Sequence, residues 1–407
     1  MIIDLRQGEQ PLRISVPEEK LFGHFQGPSQ TNGDLSEKVR KALEEPISLP
    51  PVNRAVTPSD HVALIVASDL PQPRELVGPI IDSLVAAGIE RPKIAIVHEP
   101  PEKATSTRLV EELRGAFAEL SFIEHDPTDD DAHAYVASTE EGRRIYLNRT
   151  VAEADFMLVI SRTGFDPLTG TMGTSSQLFP RLSNAETIAR ARMLAAQMRR
   201  SEMRLRKRQE SEEVAWLAGL LYALQVDTDS SGKISHVWFG EYHEVQKCAD
   251  QATFDHWMID PPEATSDLVI ATTSTPGADW LAASTALETA SHVASRDAIV
   301  LLITDLDQPI GQTGAWLLDN ENPMDAIGRV RQQDLGQVSA DSLSTVQTAT
   351  ALTSARLYLM SSLDEDLVES LGMVHVSNER EVNRLIERSR SCYVIENADR
   401  ARVTLGN

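Results

Sequence analysis

The chain has only two cysteines, Cys248 and Cys392, among 407 residues. Two thiols cannot build the dense disulfide framework of a small secreted protein. They are also too few for a structural zinc site unless histidines complete the ligand set. The remaining composition, 41% hydrophobic and 24% charged, is typical of a globular protein.

Basic residues are scarce as well. The chain has 38 Lys and Arg against 61 Asp and Glu, a net charge of -23. Such a field repels nucleic acid and anionic lipid, so we expect neither a nucleic acid nor a membrane as a partner. The opening "MIIDLRQGEQPLRISVPEEK" has no basic segment before an apolar run. We therefore expect no signal peptide, no transmembrane span and a cytoplasmic location.

The length exceeds one ordinary core, and strand–helix alternation appears in two series. The run "HVALIVASD" is typical of a buried parallel strand, and the helical pattern "RELVGPIIDSLVAAGI" follows it. A second series starts after "IDPPEATSD" with "DLVIAT" and "AIVLLITD". The predicted fold is α/β, with two domains at 1–262 and 263–407. Each is a mostly parallel sheet flanked by helices, with a cleft between the domains.

Ligands of open α/β sheets bind beyond the carboxyl ends of the strands. Asp69 and His98 both lie at predicted strand ends of the first sheet. Such a pair would suit acid–base chemistry, whereas the alternative is a structural histidine.

One segment begins like a calcium-binding loop. In "VDTDSSGKISHVW", Asp227, Asp229 and Ser231 occupy the first, third and fifth positions, and Gly232 the sixth. Trp238 stands where the bidentate Glu belongs, and the flanks have the pattern of strands, so we predict a hairpin turn.

For two charged segments, exposure to solvent is the alternative to a binding role. The acidic "HDPTDDDAH" lacks the fixed spacing of a cation site, and we predict a surface loop. The basic helix 188–208 either binds an acidic face of another subunit, as in a homo-oligomer, or is a solvated face.

The loop "GTMGTSSQ" offers glycines and hydroxyls, and glycines allow backbone N–H groups to approach a phosphate. No Lys follows as in a Walker loop, and no Gly-x-Gly-x-x-Gly is present. As evidence of nucleotide binding it is weak.

The order of segments nevertheless resembles one family, the nickel-dependent lactate racemases and related 2-hydroxy acid racemases and epimerases. "ALIVASDLPQP" resembles the family's SD-x-TRP-x-P motif. "LNRTVAEADFMLVIS" resembles the strand before its cofactor loop, and "LFPRLSNAETI" the segment after it. "ATTSTPGADW" and "SARLYLMSSL" follow in the matching order.

The resemblance implies a lactate racemase-type isomerase with a nickel-pincer nucleotide tethered to a Lys. Two His residues would act as acid and base, and a further His would ligate nickel. In this chain the reactive positions are replaced. Asp69 is kept, Gln72 replaces an Arg, and His98 matches the first catalytic His. Asp166 stands at the second catalytic His and Ser176 at the tethering Lys. Gly173 matches a loop glycine, Arg192 stands at the metal-ligand His, and Thr285 at a Lys of the second domain.

These replacements lead to the hypothesis that the protein is a diverged family member, for which we expect no cofactor and no bound metal. It would bind a small anionic ligand, such as a hydroxy acid, in the interdomain cleft, with Asp69, His98, Arg162 and Arg192 lining the site. Gln72, Gly173 and Ser176 are the further candidate ligand-binding residues. One alternative is a non-catalytic interaction or regulatory homologue. Another is an active isomerase on a modified site, with His98 and Asp166 as the catalytic pair.

Overall fold

A computed structural model describes residues 1–100, 104–197, 201–260, 264–274, 277–318 and 322–404. The chain divides into two compact units. The first unit comprises Ser29–Ala191 and Met198–Asp255, and the second comprises Met1–Pro28, Arg192–Gln197 and His256–Asn407. The domain boundary predicted at residues 262 and 263 lies outside the described residues.

The described residues form strands and helices that largely alternate along the chain. The strands are β1 Ile2–Gln7, β2 Gln10–Ser15, β3 Leu21–Phe25, β4 Val62–Val66, β5 Ile94–His98, β6 Ser121–Glu124, β7 His133–Ser138, β8 Arg144–Asn148, β9 Phe156–Arg162, β10 Phe165–Asp166, β11 Gly170–Thr171, β12 Tyr222–Thr228, β13 Ile234–Glu241, β14 Met258–Ile259, β15 Ser266–Thr272, β16 Ala294–Ile303, β17 Arg356–Met360, β18 Val374–His375, β19 Cys392–Ile395 and β20 Arg402–Val403. The α-helices are α1 Leu35–Glu44, α2 Pro73–Ala86, α3 Ala104–Ala116, α4 Arg149–Ala152, α5 Thr174–Leu178, α6 Ala185–Gln197, α7 Ser201–Leu217, α8 Tyr242–Trp257, α9 Trp280–Ser291, α10 Pro323–Arg331, α11 Ser342–Ser354, α12 Glu365–Ser370 and α13 Glu379–Arg388. None of these helices is long and apolar enough to cross a bilayer.

The first unit is built on a six-stranded sheet with the order β13-β12-β9-β4-β5-β6. Its strands are parallel except β13, which pairs with β12 in antiparallel fashion. Every residue of β4 and β5 is buried, as expected for strands with both faces covered. Helix α2 begins with Pro73 and ends before Gly88, whose φ of +99° continues the chain away from the helix. The α/β prediction for this part of the chain is confirmed.

The second unit contains a six-stranded sheet with the order β18-β17-β16-β15-β19-β3, and all its pairs are parallel. Strand β3 is its edge, hydrogen-bonded to β19 near the end of the chain. The sequence prediction placed residues 1–28 in the N-terminal domain, whereas the structure places them in the second unit. The difference arises because the strand pattern of residues 21–25 does not reveal which strand they pair with.

The segment that begins like a calcium loop is the β12–β13 hairpin turn that we predicted. Asp229 Oδ1 accepts the N–H groups of Ser231 and Lys233, which closes the turn on its own backbone. Gly232 supplies the positive φ, +83°.

The described parts of the basic segment are helical, within α6 and α7. Residues 198–200, between these two ranges, lie outside the described residues. Among the described ones, Lys207 pairs with Glu210, and Arg208 pairs with Glu212 and Asp250. These cations are therefore engaged within the first unit.

Gly240 allows β13 to approach the backbone of Ile47. The Ile47 N–H donates to Phe239 O at 2.8 Å, and Glu241 N–H donates to Ile47 O at 2.9 Å. A Cβ at position 240 would lie 2.3 Å from the Ile47 carbonyl oxygen, at a φ of +144°. The connection thus requires a glycine.

We expect Gly240→Ala to lower the free energy of unfolding by on the order of 3 kcal/mol, from strain plus overlap, in urea unfolding. Gly219→Ala is the matched control, because Gly219 has φ +79° but nothing within 4 Å of a Cβ. It should cost only about 1–2 kcal/mol. Equal effects of the two substitutions would contradict the proposed overlap at Ile47.

The buried His125 makes the stability of the first unit depend on pH. Its Nε2 lies 2.9 Å from Ser183 O, and its ring contacts His133 edge to face. Burial lowers the pKa of His125 below the usual 6.5; the Ser183 carbonyl opposes this shift and His133 adds to it. Below pH 6.5 the unfolded chain therefore binds the proton more readily than the folded one.

We expect the free energy of unfolding to fall as the pH drops below about 6.5, and His125→Asn to make that fall shallower. The measurement is urea unfolding at several pH values between neutral and mildly acidic. His236→Asn, at an exposed position, is the control. An unchanged pH slope in the His125 variant would show that another group is responsible.

Candidate functional site

Polar side chains gather where β4, β5 and β9 of the first unit end. Asp69 follows β4, His98 is the last residue of β5, and Arg162 is the last residue of β9. Arg162 Nε donates to Asp69 Oδ2 at 2.6 Å. Because carboxyl ends of parallel strands share one edge of a sheet, the fold brings Asp69 and Arg162 together across 93 positions of sequence.

Gln72, which replaces the Arg of the family motif, lies beside this edge. It is the N-cap residue of α2, with a left-handed φ of +48°. Its side chain is exposed and makes no capping hydrogen bond to the helix. Its predicted role in ligand binding stays a prediction.

His98 is held in a single tautomer. Its Nδ1 lies 2.8 Å from Glu99 O, so Nδ1 carries the hydrogen and donates it to that carbonyl. The residue is only 1% exposed, and Nε2 has no hydrogen-bond partner among the described residues. A buried nitrogen without a partner is costly, and this one lies at the strand end where open α/β sheets bind their ligands.

Two residues of the edge escaped the sequence analysis, Glu99 and Arg181. Arg181 Nη1 lies 3.2 Å from Glu99 Oε2, and Nη2 lies 3.6 Å from Asp166 Oδ2. The pKa of Arg181 is raised, first by Glu99, against the opposing effect of burial, and further by Asp166 and Asp69. The available sequence signal was a charged residue inside the apolar "LFPRL".

Asp166, the proposed second base, closes a turn. Its Oδ1 accepts Leu168 N–H at 2.8 Å and both the N–H and hydroxyl of Thr169, at 2.7 and 2.9 Å. It is 8% exposed. Only Oδ2, which faces Arg181, is left for proton transfer, so the geometry favours a turn-forming role over the predicted catalytic one.

Ser176 and Gly173 hydrogen-bond to each other. Gly173 N–H donates to Ser176 Oγ at 2.9 Å, and the Ser176 hydroxyl donates to Gly173 O at 3.0 Å. A Cβ at position 173 would lie 2.7 Å from Gln246 Oε1, so the glycine makes room for that amide. Both predicted ligand-binding residues are thus engaged in forming the loop.

The remaining positions singled out by the resemblance belong to the second unit. Arg192 is exposed on α6. Thr285 is buried on α9, and its hydroxyl donates to Gln347 Oε1 at 3.4 Å. The assignment of Arg192 to ligand binding stays a prediction.

No group of three or more His, Cys, Asp or Glu side chains in the described part of the chain has the geometry of a metal site. The strand-end cluster instead contains three carboxylates, two guanidinium groups and one imidazole. It can donate hydrogen bonds to a carboxylate from arginine and accept one from a hydroxyl at His98 Nε2.

Comparison with known proteins agrees with this architecture. Residues 7–204 match the lactate racemase N-terminal domain. The lactate racemase apoprotein from Thermoanaerobacterium thermosaccharolyticum is similar over 100% of both chains, with a TM-score of 0.82 and 16% identity. A Thermotoga maritima protein of known structure is similar over 92% of this chain and 100% of its own, with a TM-score of 0.62 and 12% identity.

No curated protein sequence matches the chain. At 16% and 12% identity, the two structures establish a shared fold, and the sequence match of residues 7–204 indicates the family. Residues 7–204 therefore match the N-terminal domain of lactate racemases, and the chain shares the lactate racemase fold.

Proposed function

We propose that this lactate racemase-like protein binds a small hydroxy acid at the carboxyl edge of the first sheet, without the tethered nickel-pincer cofactor of the family. One observation carries the proposal. His98 keeps a buried Nε2 without a partner in the described structure, at an edge that also presents Arg162 and Arg181.

Hydroxy-acid recognition needs a cation for the carboxylate and an acceptor for the hydroxyl. An arginine has five N–H donors, and Arg162 gives its Nε hydrogen to Asp69 and an Nη1 hydrogen to Thr163 O at 3.4 Å. Arg181 holds Asp166 at 3.6 Å, the longest of its ion-pair distances. A ligand carboxylate would share Arg181 at that contact, and His98 Nε2 would accept the hydrogen bond of the ligand hydroxyl.

The loop residues do not fit the family cofactor. No Lys or His occurs between Phe156 and Lys207, so no amine tether and no imidazole ligand is available there. Ser176 offers a hydroxyl already engaged with Gly173. Arg192 at the expected nickel-ligand position would bring positive charge and no donor lone pair.

The two alternative functions have less support. An isomerase with Asp166 as second base would rely on Oδ2 alone, beside Arg181. An interaction role for the basic segment would compete with the internal pairs of Lys207 and Arg208.

We expect Arg181→Gln to weaken lactate or glycerate binding at least about tenfold, because a charge-assisted hydrogen bond is lost. Titration calorimetry measures the affinity, with propane-1,2-diol as the uncharged analogue that should not bind. Arg190→Gln, an exposed position on α6 paired with Glu186, is the control.

Thermal unfolding of both variants would show whether they fold. Absence of binding by the unmodified protein to every hydroxy acid tested at millimolar concentration would refute the proposed function. If the Arg181 variant bound the hydroxy acid as tightly as the unmodified protein, Arg181 would not be part of the ligand site.

We expect the protein, incubated with nickel and the pincer nucleotide and then desalted, to retain far less than one nickel per chain. Metal analysis by mass spectrometry provides the measurement, and a nickel-dependent lactate racemase treated alike is the positive control. Stoichiometric nickel together with racemisation of lactate would overturn the cofactor argument.

A further inference from the structure

The side-chain amide of Gln246, on α8, hydrogen-bonds to Asp250 and to the loop of residues 164–178, which we call the site loop. Its Oε1 accepts Thr174 N–H at 2.6 Å. Its Nε2 donates to Met172 O at 3.1 Å and to Asp250 Oδ1 at 2.6 Å. The side chain is buried, so these bonds form away from competing water.

Asp250 extends this set of bonds to α7. Arg208 Nη2 donates to Asp250 Oδ2 at 2.5 Å, and Arg208 Nη1 donates to the Thr171 hydroxyl at 3.1 Å. Arg208 Nε donates to Glu212 at 2.9 Å, which fixes the guanidinium plane. The site loop is therefore held at Thr171, Met172 and Thr174 by one connected chain of side chains.

The hydrogen bonds to Thr171 and Met172 also hold the strand pair that positions Asp166. Thr171 belongs to β11, which pairs with β10, and Asp166 lies opposite Gly170 in that pairing. Gln225, on β12, gives Met172 O a second donor at 3.1 Å. Displacement of β11 would therefore carry β10 with it and change the distance from Asp166 to Arg181.

We propose that Gln246, Asp250 and Arg208 are positioning residues that hold the site loop in place and thereby set the Asp166–Arg181 contact. Side chains of α7 and α8 thereby order the loop. The effect on ligand affinity rests on the proposed function, whereas the ordering of the loop does not.

The test is hydrogen exchange of the site loop, followed by mass spectrometry, in the full-length protein. We expect Gln246→Leu to accelerate exchange of amides 171–178 by about 10- to 100-fold, because buried hydrogen-bonding groups lose their partner. Gln251→Leu is the matched control on the same helix, since Gln251 bonds only to the exposed Asp255. Peptides of β4 and β5 report whether the unit remains folded.

Exchanging the donor and the acceptor between positions 246 and 250 tests whether specific hydrogen bonds, and not packing alone, order the site loop. Gln246→Glu alone places two carboxylates in contact, at positions 246 and 250, and should free the loop. Adding Asp250→Asn lets the new amide at position 250 donate to the new carboxylate at position 246, while Thr174 N–H keeps its acceptor. Met172 O loses its donor from position 246 in both variants and keeps the one from Gln225. We therefore expect the double variant to recover part of the protection, and part of the lactate affinity, lost in Gln246→Glu.

Unchanged loop exchange in Gln246→Leu would overturn the inference. If that variant fails to fold, the Gln246→Glu and double variants decide: no recovery on adding Asp250→Asn refutes the network. If the unmodified protein binds no hydroxy acid, the proposed function falls, and the exchange data still test the ordering of the loop.

Discussion

The site depends on one constraint, the complete burial of β4 and β5 inside the first sheet. Side chains along such strands must be apolar, so polar groups can appear only where the strands end. Asp69 and His98 lie at those ends, Arg162 lies at the end of the neighbouring β9, and Arg181 joins them from the segment after the site loop. Because the edge is partly buried, each charge there needs a counter-charge, and the ion pairs follow from that need.

The buried strands of the first unit could be predicted from sequence because long apolar runs leave few alternatives, whereas their order in the sheet could not. The edge strand β3 could not be assigned correctly, since its partner β19 lies at the other end of the chain. The same limit applies to the site. His98, Asp69 and Arg162 follow from their position at strand ends, whereas Arg181 and Glu99 meet across 82 residues and Gln246 and Thr174 across 72.

Sequence comparison and geometry give different information about the replaced loop positions. The resemblance predicts a lysine at position 176 and a histidine at position 166, where this chain has Ser176 and Asp166. The structure shows which contacts these two residues make. Ser176 hydrogen-bonds to Gly173, and Asp166 accepts three hydrogen bonds from its own turn. Both side chains thus contribute internal hydrogen bonds to the loop.

This exchange has a consequence for how a ligand can enter. Asp166 is fixed by its turn, and the turn is fixed through β11 by α7 and α8, so Asp166 cannot move aside freely. Under the proposed function, a ligand carboxylate would approach Arg181 while Asp166 remains nearby, and the repulsion between the ligand and Asp166 would limit the affinity for a dianion more than for a monoanion. The hydroxyl partner of His98 becomes correspondingly important, because a hydrogen bond to Nε2 adds no charge. A site of this kind would select a small, singly charged hydroxy acid over a dicarboxylate.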